Sequence, residues 1–315
     1  MEEFGLHCYN EGYIETQCKI FCGWRKGDRR LPLTALGLLL VAAVMHTTWN
    51  LLVKRAKEKQ VFIWCSLIAG VIIFSPLLLS SSLSLISAWP FLISSALVEA
   101  IYYITLIRAY ENGDFSLVYP MARGAAPAFL LIWATIFLGE RPQLFGLIGI
   151  ALLVFGLVIV GGNTWWSLRK STTLSKSALV LALSVACCIS VYTAIDGAAV
   201  HHVSPLPYTV LVIALTVLFI TPAVVMRYGK TVIADEWRAN WIRISLVGLF
   251  TLLAYILALE AYSIAKVSYA GSVREISVVF AAFVGWRWLG ESFGVMRLVG
   301  ALFIFTGILV IAFAG

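Results

Sequence analysis

The chain has 315 residues, of which 61% are hydrophobic and only 12% charged, with a mean hydropathy of +0.94. A soluble domain carries about 25% charged residues, so this composition excludes a water-soluble fold and points to an all-α integral membrane protein. The net charge of +7 is spread through loops rather than gathered in one patch, which argues against nucleic acid as a partner and for the lipid bilayer.

Residues 1–30 set four acids, Glu2, Glu3, Glu11 and Glu15, before a basic cluster. They are expected to form a disordered tail. The apolar run that follows is longer than a signal peptide's core and lacks a small-residue cleavage site, so it reads as a retained first helix. A bilayer core of about 30 Å needs roughly 20 apolar residues per helix. Ten runs of that order occur, at 31–53, 61–80, 88–109, 115–138, 143–161, 177–199, 207–226, 241–261, 266–289 and 293–314. Loops between them are short, and only residues 162–176 have the polarity of a linker. The predicted organisation is a tail over 1–30, a first five-helix repeat over 31–161, the linker, and a second repeat over 177–315.

The repeat is visible residue by residue. Leu138-Gly139-Glu140 recurs 151 positions later as Leu289-Gly290-Glu291, and at the same offset Arg123 matches Arg274, Gly149 matches Gly300 and Gly156 matches Gly307. Five crossings leave the second half starting on the opposite side of the membrane, so the repeats are expected to be inverted, the arrangement used by secondary transporters. Fourteen Lys and Arg residues flank the loops after helices 1, 3, 5, 7 and 9, against Arg141 and Lys266 in the loops of the other side, to which the tail adds Lys19, Arg25, Lys26, Arg29 and Arg30. The loop bias favours odd-numbered loops in the cytoplasm and termini outside, against the pull of the tail, and a plasma membrane is the expected location.

Polar groups within the apolar runs need a reason, since a charge at bilayer depth costs at least about 2.5 kcal/mol unless it faces a cavity or partner. In helix 1, His46, Asn50 and Lys54 share one face with Trp49 beside them, and helix 6 shows Ser184, Cys188, Tyr192 and Asp196 at the same spacing. Lys54 and Asp196 lie near helix ends, from which such groups can reach the headgroups. Glu99 is the deepest acid, with Tyr102 and Tyr103 one turn on. Helix 4 presents Tyr119, Arg123 and Pro127 on one stripe, with Pro120 and Gly124 able to interrupt it. Its mate, helix 9, keeps Arg274 and adds Glu275. Two arginines at matched depth point to an anionic group, either on a substrate or on an internal Glu. Glu140 and Glu291 fall at helix ends, where a carboxylate can cap the helix that follows. Gly149 with Gly156, and Gly300 with Gly307, lie seven residues apart on one face, so helices 5 and 10 read as packing or dimer helices. The six cysteines show no disulfide or metal-site spacing.

These residues give the chain a resemblance to the drug/metabolite transporter superfamily and its ten-helix EamA-like members. The likeness rests on Pro120-x-x-Arg123-x3-Pro127, Leu138-Gly139-Glu140, Gly149 and Gly156, and on their echo in the second half. His46-x2-Trp49-Asn50-x3-Lys54 is similar to the helix 1 signature of that family. The resemblance implies that helices 1 to 4 and 6 to 9 surround a central cavity, with helices 5 and 10 outside it.

The function expected is secondary transport of a small polar or amphipathic metabolite, outward and proton-coupled, by alternating access. His46, Trp49, Asn50, Glu99, Tyr103, Arg123, Tyr192 and Arg274 are the candidate substrate-binding residues, and Glu99 and His46 the candidate proton carriers. No cofactor, metal or catalytic residue is expected, and the protein is expected to be a monomer or homodimer. Two alternatives stand beside this reading: a membrane-embedded enzyme acting on a lipid-linked substrate, with His46 and Glu99 or Asp196 as base and orienter, and a non-transporting scaffold.

Overall fold

A computed structural model describes residues 31–54, 56–80, 88–112, 115–168, 176–280, 283 and 295–314. The tail over 1–30, residues 169–175 of the linker, the second Leu289-Gly290-Glu291 and the Lys54 side chain lie outside the described residues. Among those described there is no strand. The helices are α1 (Leu33–Lys54), α2 (Lys59–Phe74), α3 (Trp89–Asn112), α4 (Phe115–Phe137), α5 (Leu144–Leu168) and α6 (Lys176–Ala199), then one 60-residue run, Pro205–Ile264, followed by α9 (Val267–Arg274) and α10 (Val295–Ala314). Five described helices, beginning at Leu33, Lys59, Trp89, Leu179 and Pro205, have the length and hydropathy of a membrane span. With the two-repeat pattern, they make this an integral multi-pass membrane protein.

Pro205–Ile264 cannot be one straight span, since at 1.5 Å per residue it would extend about 90 Å, three times the hydrocarbon thickness. It is broken at Gly229, with φ 72° and ψ 167°, and at Asn240, with φ −130°. Its two arms, α7 over 205–228 and α8 over 241–264, fold back so that Tyr208 and Tyr255 reach the same carboxylate. Elsewhere proline decides the ends. The second apolar run continues past Phe74 only as a 3-10 turn, Ser75–Ser80, because Pro76 has no N–H to give the α-helical ladder. The interruption that prolines suggested for α4 falls instead in its mate. α4 runs unbroken past Pro120 and Pro127, whereas α9 stops at Arg274, turns at Glu275 and Ile276, and resumes over 277–280.

α5 and α10 pack directly on each other through the repeated glycines. A Cβ at Gly149 would lie 2.8 Å from the Gly307 carbonyl oxygen, and one at Gly156 would lie 2.6 Å from that of Gly300. The small residues therefore serve a contact within the chain. A second close approach, Gly248 of α8 against Ser66 and Gly70 of α2, holds the first repeat to the second.

Glu140 also caps, but not the helix that follows it. Gly139 adopts φ +64°, a left-handed turn that glycine makes without steric cost, and the amides of Leu138 and Glu140 both return to the Ala134 carbonyl at 3.1 Å. The turn carries the Glu140 carboxylate across the repeat boundary to the start of α9. There it accepts the Val267 amide at 2.5 Å, the Ser268 amide at 3.2 Å and the Ser268 hydroxyl. The first amides of a helix have no partner within it, so any N-terminus in reach can claim the acid. The local rule predicts α5, and the tertiary fold delivers α9.

Candidate functional site

The repeat-related arginines sit in different company. Arg123, on α4, donates through Nη1 to both carboxylate oxygens of Glu275, at 3.1 and 3.4 Å, and its Nη2 lies 2.9 Å from His46 Nε2 on α1. A guanidinium only donates, so His46 accepts through Nε2 and carries its proton on Nδ1. Arg274, on α9, gives one hydrogen bond of 3.2 Å to the Tyr262 hydroxyl and lies over the Tyr255 ring at 6.0 Å. Among the described residues no ion pair holds it. It lines a small cleft with Glu275, Gly271, Pro127, Thr193 and Tyr262, where α4, α6, α8 and α9 meet.

Opposite these cations lies an acidic pole. Glu99 on α3 is buried and accepts the Thr216 hydroxyl of α7 at 2.8 Å. Asp196 on α6 does not reach the headgroups as its place near a helix end suggested. It is completely buried, because three hydroxyls from three other helices converge on it: Ser95 of α3 at 2.5 Å, Tyr208 of α7 at 2.8 Å, and Tyr255 of α8. Tyr255 joins the two poles, since its hydroxyl donates to Asp196 while its ring lies beneath Arg274.

The other candidates divide. Tyr192 and Tyr103 both contact Tyr102 edge-on, at ring separations of 6.0 and 5.1 Å, forming an aromatic wall between α3 and α6. Trp49 meets the His46 ring edge-on at 4.9 Å, and its buried Nε1 has no hydrogen-bond partner among the described residues. Asn50 gives its amide to the His46 carbonyl one turn back, at 2.7 Å, which commits that donor to its own helix.

Asp196, Glu275, Tyr255, Tyr262 and Thr216 belong with this constellation and were not among the candidate binding residues. For Tyr255 a signal existed, since it is the repeat mate of Tyr103 at an offset of 152. For Thr216 there was none, because a lone hydroxyl in an apolar helix is ordinarily spent on its own backbone. Chemically, the arrangement offers a fixed positive group at the cleft, a second cation already neutralised, and two buried acids held by hydroxyls. It can bind an anionic group and orient an amphipathic solute against the tyrosines.

A family model described as the EamA-like transporter family matches residues 33–162 and again 176–313. No curated protein matches the chain. A solved structure described as "Crystal structure of protein" is similar with a TM-score of 0.71 and 13% identity, covering 89% of this chain and 96% of that one. At that identity the likeness speaks for the fold alone.

Proposed function

Because the chain belongs to the EamA-like transporter family, whose model it matches in both repeats, we propose that it is a secondary transporter exporting a small metabolite with an anionic group by alternating access. The family consists of membrane transporters, which sets the enzyme and scaffold readings behind this one. The observation that carries the proposal is Arg274: a guanidinium in a cleft at the junction of four helices, with one hydroxyl partner and no ion pair among the described residues. A charge kept at that depth with no acid bonded to it among the described residues is best explained by a charge that arrives with the substrate. Tyr192, Tyr255 and Tyr262 supply flat apolar faces beside it, and Trp49 holds a donor in reserve. Coupling to a proton falls to Glu99, which accepts the Thr216 hydroxyl and has no cation bonded to it among the described residues, rather than to His46, whose Nε2 is occupied by Arg123.

The test is flux in proteoliposomes, after a metabolite screen for thermal stabilisation of the purified protein, since a ligand that binds only the folded state raises its stability. Arg274→Gln is expected to abolish flux and ligand stabilisation while the protein stays monodisperse; undiminished flux would remove Arg274 from the pathway. Glu99→Gln is expected to uncouple flux from an imposed pH gradient, and an unchanged pH response would count against its role.

A further inference from the structure

The Leu138-Gly139-Glu140 turn has no part in the binding site, yet its carboxylate is buried at 1% exposure in a loop. An acid is kept there at a cost, and three donors from the other repeat hold it. Around this contact the α4–α5 loop grips the start of α9 at further points. The Gln143 amide donates to the Tyr269 hydroxyl at 3.0 Å, and Lys266 Nζ donates to the Arg141 carbonyl at 3.3 Å while lying over the Tyr269 ring at 4.8 Å. Gly146 makes room for that ring, since a Cβ there would lie 2.0 Å from the Tyr269 hydroxyl.

α9 is short and buried along its length. Its eight residues, Val267–Arg274, span about 12 Å, with the grip at one end and the turn at Glu275 and Ile276 at the other. The far end is anchored, through Glu275 to Arg123 and through the Ser277 carbonyl, which accepts the Thr47 hydroxyl at 3.1 Å. On the side of the cleft nearer the gripped end, Gly271 presses on Leu130 of α4 so closely that a Cβ would lie 2.3 Å from a leucine methyl. Gly271 and Leu130 both line the Arg274 cleft, so this contact forms its wall on the side of the gripped end.

We propose that Glu140 is the latch of a gate on that face: while it caps α9 the cleft is shut there, and when it lets go the N-terminal end of α9 swings about the Glu275–Ile276 turn and opens it. The inference rests on the alternating-access reading, but its test needs no substrate. In the full-length chain, with the six native cysteines replaced by alanine and Thr193→Cys as a reporter in the cleft, a membrane-impermeant maleimide is applied to one face of proteoliposomes and then to the other.

Glu140→Ala is expected to raise labelling from the α4–α5 loop face by about tenfold or more, because losing a charge-assisted hydrogen bond shifts a two-state equilibrium by roughly a decade or beyond. Labelling from the opposite face should not rise. Gly146→Ala, which wedges Tyr269 away without touching the acid, should have the same sense, and Glu140→Gln, which keeps one acceptor, should fall between. Unchanged labelling in a folded, monodisperse Glu140→Ala overturns the latch. If that variant does not fold, Gly146→Ala and Glu140→Gln decide: no increase in either overturns it. Increased labelling in a protein that carries no solute would sink the transport reading and leave the latch standing, whereas solute flux with unchanged labelling would do the reverse.

Discussion

The α5–α10 seam and the α4–α9 pair are both built by the duplication, and they use it in opposite ways. At the seam the two repeats contribute the same residues to the same end: Gly149 and Gly156 face Gly307 and Gly300, backbone against backbone, with nothing polar required. In the α4–α9 pair the shared arginines are given unlike partners, a carboxylate and a histidine for Arg123, a single hydroxyl for Arg274. Symmetry serves packing, where one good contact can be made twice. Asymmetry serves chemistry, where a positive group is useful to a ligand only if no internal acid has claimed it.

The largest effect should come from breaking the claimed arginine. Arg123→Ala strands Glu275 in the interior, at a cost of about 3–5 kcal/mol, and the apparent melting temperature should drop sharply. Adding Glu275→Gln should recover most of the loss, and Arg274→Gln should cost far less than Arg123→Ala. Equal losses for the two arginines would erase the distinction between them. A smaller effect is expected at the seam. Gly156→Leu forces a side chain into a space where even a Cβ lies 2.6 Å from a carbonyl oxygen, and overpacking of this kind costs about 1–3 kcal/mol. Thermal unfolding should register it, with ligand affinity per folded molecule unchanged. The smallest effect concerns Glu140, whose carboxyl is pushed above its usual value by burial, against the pull of Ser268, Val267 and Lys266. As the pH falls, the folded chain takes up this proton before the unfolded chain does, so wild type should gain stability over Glu140→Gln as the pH drops through the raised pKa towards about 4.5. A stability difference that stays flat between about pH 4 and 8 would show that this carboxyl titrates as in the unfolded chain.

How much of this was legible depends on how far the deciding contact lies along the chain. The seam could be read, because glycines seven apart share a helix face whatever the neighbour turns out to be. Arg274 could be read, because its depth recurs in the first repeat. That Glu140 caps a helix was readable too, but which helix was not, since the start of α9 lies 127 residues further on and only the packed fold brings it nearer than α5. Asp196 looked like a group at a helix end, and hydropathy alone would leave it there. What keeps it inside is a set of hydroxyls on α3, α7 and α8 that no local pattern ties to an acid on α6. The break in α9 was hidden for the same reason: residues 266–289 read as one membrane-length run despite Arg274 and Glu275, and the turn occurs where Glu275 reaches for Arg123 and the Ser277 carbonyl meets Thr47.

The Arg123–Glu275 pair has one more consequence. A carrier made of inverted halves moves between inward- and outward-facing forms by letting each half adopt the shape of the other. The residue that matches Glu275 in the first half is Gly124, so in the exchanged form Arg274 would find no acid where Arg123 now finds one. On the alternating-access reading proposed above, the two end states would therefore differ by one buried ion pair. An empty carrier of that kind would have a resting side, set by one glutamate with no twin.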